Sequence, residues 1–107
     1  MKHTITRGTG NVFADLGLPD AGQRQTKTRL AFAINTLLKA RRLKQMKTAK
    51  LLGIPQPHVS ALANYRLDGF SVERLMDLLT ILDRDVEIVI RPSRNHGEGH
   101  ISVLAMM

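Results

Sequence analysis

The chain has 107 residues, a formal net charge of +7 and no cysteine. That length holds one domain with a modest core and falls short of the deep cleft most enzymes need. The missing cysteines exclude disulfides, thiolate nucleophiles and cysteine-based zinc sites. No apolar run approaches the ~18 residues of a membrane span, and the opening MKHTITRGTG lacks the apolar stretch of a secretory signal. The expected protein is soluble and cytoplasmic, with no membrane partner.

Residues 1–25 read as an N-terminal extension, polar and rich in Gly and Thr. One apolar cluster, Val12, Phe13, Ala14, Leu16 and Leu18, suggests a helical turn packing Phe13 onto the domain. Gly17-Leu-Pro19-Asp then breaks it. The main unit is expected over 26–92. A helix begins about Thr26 and carries Leu30, Ala33, Ile34, Leu37 and Leu38 at helical spacing to about Arg42. Phe32 lies off this stripe, toward the N-terminal cluster or a second subunit.

A short helix over Gln45–Leu52 follows, with Ala49 and Leu52 inward and Gly53 as its natural C-cap, because glycine tolerates positive φ. The next helix starts near Pro55 or Gln56, where a first-turn proline costs little, and ends about Asn64. Val59 and Leu62 face the core. After the loop Tyr65–Gly69, Ser71 caps a fourth helix with Glu73 in its first turn and a stripe of Val72, Leu75, Leu78, Leu79 and Leu82. Period-two alternation at Val86–Ile90 predicts a β-strand ended by Pro92. Residues 93–107 form a C-terminal turn and a second strand over Ile101–Leu104. The expected fold class is therefore mainly α with a small C-terminal β-hairpin. Two strands alone are marginal in water, so they need a helix beneath or another subunit beside them.

The segment QMKTAKLLGIPQPHVSAL, residues 45–62, has the layout of a helix-turn-helix, whose second helix enters the DNA major groove. Gln56 opens that helix, and a glutamine reads adenine through two hydrogen bonds to N6 and N7. Gln45, eleven residues earlier, is placed to touch phosphate or support Gln56. His58 and Ser60 lie in the first two turns, within reach of a base or phosphate. Asn64 and Arg66 leave the helix toward the backbone, and Ser71 offers free helix-start amides to another phosphate. Lys44, Lys47 and Lys50 form a basic flank that supplies field.

Charge placement supports the same reading. Between Ala21 and Leu67 stand Arg24, Lys27, Arg29, Lys39, Arg41, Arg42, Lys44, Lys47, Lys50 and Arg66, and no carboxylate. Such a one-sided surface repels itself and gains stability from a polyanion. Enzymatic constellations are missing. The four histidines have no Cys or carboxylate at ligand spacing. Asp83, Asp85 and Glu87 read as a solvated loop, and Gly8 and Gly10 match no phosphate loop. Neither catalysis, metal nor cofactor is expected.

On these residues the chain resembles the Xre/Cro/λ-repressor-like family. More closely, it resembles the small antitoxin-type regulators of host-inhibition-of-growth toxin–antitoxin systems. GTGNVFADLGLPD (8–20), the motif at 45–62 and LDGFSVERLMDLLTILDRDVEIVIRP (67–92) carry the likeness. The resemblance implies a λ-repressor-like helical bundle, a homodimer, and repression of a short operon through a near-palindromic duplex. It also implies a candidate protein partner, a small ribonuclease toxin resembling the RelE group, whose neutralisation would be the alternative main task. Pro55 stands where many relatives carry a Ser or Thr cap. Lys47 and Thr48 replace the common acidic-alanine pair.

Overall fold

The computed structural model describes residues 19–94 and 97–107. Four helices follow one another: α1 (Pro19–Arg41), α2 (Gln45–Leu52), α3 (Gln56–Ala63) and α4 (Val72–Ile81). The three short ones have 8, 8 and 10 residues, below the ~12–15 at which an isolated helix holds together in water. They exist because they share one core.

That core is aliphatic. Ile34 of α1, Leu62 of α3, Leu75 of α4 and Leu82 just beyond it are its largest fully enclosed side chains. Leu30, Ala31 and Ala33 extend it along α1, and Leu52, Ile54 and Val59 bring in α2 and α3. The expected α1 stripe is thus buried at its centre, while Leu37 and Leu38 pack half-buried at its edge. Leu67 and Phe70, in the loop before α4, are buried as well. No periodicity marked them, since a loop has no repeat to read. Thr48 is the buried polar residue of the set. It occupies an inward position of α2, so replacing alanine there still yields a packed helix face.

Helix ends follow local chemistry. Gly53 adopts φ 69°, and its N–H and that of Ile54 both donate to the Ala49 carbonyl, at 2.8 and 3.1 Å. A Cβ at Gly53 would meet nothing within 4 Å, so backbone conformation, and not space, calls for glycine. The end of α3 uses the same device without glycine. Tyr65 stands at φ 56°, its N–H donating to Leu62 O (3.1 Å) while Arg66 N–H donates to Ala61 O (2.8 Å). This is a Schellman end, and a left-handed conformation costs a non-glycine residue about 1–2 kcal/mol. At α4, Ser71 Oγ accepts from Arg74 N–H at 3.0 Å, the expected cap. Asp83 at φ 63° closes its other end.

Two expectations are corrected. The first helix begins at Pro19 and not near Thr26, because a proline in the first turn lacks only an amide that would have no intrahelical partner. The C-terminal β-hairpin does not form, as no strand occurs among the described residues. Alternation is nevertheless real. Val86, Ile88, Ile101 and Val103 are half-buried while Glu87, Val89, Ser102 and Leu104 are exposed. Val86 and Val103 pack on the core as an apolar strap, but no backbone ladder joins the two segments. The expected packing of Phe13 falls outside the described residues.

Leu62 joins α3 to the rest twice. Its side chain is fully enclosed, and its carbonyl accepts from Asn35 Nδ2 of α1 at 3.0 Å. Leu62→Ala is expected to lose about 2–5 kcal/mol of unfolding free energy, read from urea denaturation followed by circular dichroism.

Candidate nucleic-acid interface

α2 and α3 pack against each other across the Gly53 turn and bring three of the sequence-selected side chains together. Gln45, Gln56 and Ser60, with Pro57, line one shallow recess of about 280 Å³. Gln45 and Gln56 are exposed, and no hydrogen bond ties either amide to the protein among the described residues. Ser60 is half-buried, and its hydroxyl makes no bond to the carbonyl four residues back. A helix turning its polar first-turn residues outward, free of internal partners, is equipped to bond something external.

His58 stands on the same helix with its ring 6.0 Å from that of buried Phe70, at 67° between planes. Phe70 carries on with Arg74, whose guanidinium carbon lies 5.2 Å from the ring centre. One phenyl group thus orients a side chain from α3 and another from α4. Arg74 was missed in the sequence because it sits in an ordinary first turn. The aromatic residue four positions earlier was the available signal. A guanidinium stacked on a ring keeps its N–H edge available for a phosphate.

Other selected residues are placed differently. Asn64 donates from Nδ2 to the Ser60 carbonyl at 2.9 Å, so half of its amide serves the end of α3. Ser71 spends its hydroxyl oxygen as a cap. Arg66 is exposed beyond α3. Lys44, Lys47 and Lys50 are exposed on and beside α2, whose first turn has no acidic residue. Neither has that of α3. Within the basic block, Arg41 lies 3.7 Å from Asp83. Among the described residues no set of His, Asp or Glu could hold a metal ion. No helix there is long and apolar enough to cross a membrane.

Residues 12–91 match the family model of a helix-turn-helix domain. A solved protein described as an XRE family transcriptional regulator is 58% identical, with a TM-score of 0.77. The match covers 82% of this chain and 100% of that one. The chain belongs to the XRE-type helix-turn-helix family. No curated protein matches, and neither description speaks of a toxin. Within this family member, α2 and α3 are the two helices of the motif and Gly53 is its turn.

Ser71→Ala is expected to cost about 1 kcal/mol in thermal denaturation, by removing the cap. Ser71→Asp should retain the cap and keep most of the stability.

Proposed function

We propose that this chain is a sequence-specific DNA-binding transcriptional regulator, acting as a homodimeric repressor. The observation that supports it most is the convergence of Gln45, Gln56 and Ser60 in one recess, formed by a stretch, Ala21–Leu67, that carries ten basic residues and no carboxylate. Short polar side chains at the start of a motif's second helix are the ones that reach base edges. In the proposal α3 lies in the major groove, Gln56 reads an adenine, and His58 and Ser60 face neighbouring bases or phosphates. Gln45, Asn64, Arg66 and the amides after Ser71 hold backbone phosphates. Arg74, stacked on Phe70, adds a phosphate contact.

Lysine and arginine contacts to phosphate set most of the affinity and release counterions, so binding falls steeply with salt. Base contacts set preference. A homodimer presents two copies of α3, and the duplex it prefers is near-palindromic with half-sites ~34 Å apart. The reading requires no cofactor.

Selection of bound duplexes from a random pool, at two salt concentrations, tests the proposal. A near-palindrome whose binding weakens with salt is expected, and no enrichment at low salt would sink the reading. On the enriched duplex, Gln56→Ala should cost about 1–3 kcal/mol and relax preference at one base pair of each half-site. Arg66→Ala should weaken selected and scrambled duplexes alike and lower the salt slope by about one. Equal binding of both duplexes by wild type and Gln56→Ala would remove Gln56 from its role.

A further inference from the structure

We infer that Phe70, itself too buried to touch a duplex, is the positioning residue that fixes how His58 and Arg74 meet one, and so tunes the preference of a surface it does not belong to. The inference rests on the regulator reading above and names a determinant behind it.

Phe70 is 3% exposed and sits in the loop before α4, where its N–H donates to the Leu67 carbonyl at 3.0 Å. Core and backbone together hold the ring. An exposed side chain of α3 and a half-buried one of α4 converge on it. The His58 ring centre lies 6.0 Å away with the planes at 67°, within the roughly 4.5–7 Å at which near-perpendicular rings attract. The Arg74 guanidinium carbon lies 5.2 Å from the same centre, inside the ~6 Å of a cation–π contact.

Arg74 had another partner at hand. Asp77 stands three residues further along α4, the spacing at which opposite charges on a helix pair. Yet Arg74 forms no ion pair with it among the described residues. The guanidinium lies over the ring instead, and a stacked guanidinium keeps its N–H donors free at its edge. No hydrogen bond to a described residue holds the His58 ring either. An apolar surface thus orients both groups and leaves their polar atoms unspent.

The two contacts laid end to end put the imidazole centre and the guanidinium carbon no more than about 11 Å apart. Phosphates follow one another at about 3.4 Å of rise along a strand, so the pair spans about three base steps and acts on one half-site. Immobilising a free surface side chain on binding lowers affinity by about two- to tenfold. Phe70 has already ordered two such side chains in the free protein, one beside the bases and one beside the backbone.

Phe70→Leu tests this, because it keeps an apolar side chain of similar size in the core and removes the ring. Circular dichroism checks that the variant is folded. The first arm uses no DNA: proton and nitrogen NMR of the full chain should show the Arg74 side chain and the His58 ring protons displaced by the ring in the wild type. Both should move toward free-residue positions in Phe70→Leu, and shifts that stay put overturn the inference. The second arm uses the duplex enriched by selection. Phe70→Leu should weaken binding roughly tenfold and relax preference at the base pair nearest His58. Arg74→Ala should weaken binding several-fold in the wild type but less than twofold in the Phe70→Leu background. Arg74→Lys, which keeps the charge and loses the plane, should behave more like Arg74→Ala than like wild type. A merely structural phenylalanine would leave the losses at positions 70 and 74 multiplicative. Multiplicative losses on a duplex that the wild type binds would overturn the inference and spare the regulator reading. A wild type that enriches no duplex would fail that reading, and the inference with it.

Discussion

Everything in this fold that points outward depends on how Leu62 is held. Its side chain fills the centre of the core beside Ile34 and Leu75, and its carbonyl is satisfied by Asn35 of α1 and by Tyr65 N–H. A carbonyl late in a helix would otherwise have no intrahelical donor. One residue thereby sets the depth of α3 through packing and its end through hydrogen bonding. An eight-residue helix has little stability of its own, so the direction of Gln56, His58 and Ser60 is inherited from this anchorage and not from α3 itself.

The division of labour between faces follows. Inward residues are aliphatic and interlocked. Outward residues at the α2–α3 recess are polar and free of internal bonds, and Lys44, Lys47 and Lys50 are exposed on and beside α2. Phe70 stands between the two classes: it is 3% exposed, yet its ring edges and face organise His58 and Arg74. Electrostatic attraction over a distance of about a Debye length, ~8 Å in physiological salt, gathers a polyanion. In the proposed reading, directed groups at fixed positions then discriminate. The Arg41–Asp83 pair, largely solvent-exposed and so worth little, takes one cation out of the field at the far end of α1.

The helices were legible because amphipathic spacing, caps and Gly53 all signal at short range. Gln45, Gln56 and Ser60 were legible as a group because the motif's geometry places an eleven-residue offset across one turn. Tertiary facts were less so. Leu67 and Phe70 gain burial from partners distant in sequence. Asn35, reading as an ordinary polar helix residue, owes its role to a carbonyl 27 positions away. The alternation at 86–90 correctly marked which side chains turn inward, but alternation reports side-chain burial and says nothing about whether a neighbouring backbone exists to pair with. Hence the same pattern predicts a hairpin where the structure has a strap.

The absence of internal bonds at the α2–α3 recess has an evolutionary side. Gln45 and Gln56 are exposed and uphold no part of the core, so under the proposed reading exchanging them for other polar residues would alter what the surface prefers while leaving the scaffold unchanged. Surface substitutions of this kind usually shift stability by no more than about 0.5 kcal/mol. A duplicated copy of such a chain can acquire a new preference by single steps, each of which still folds. The recess is thus the part of the molecule where drift is cheap and its consequences are large.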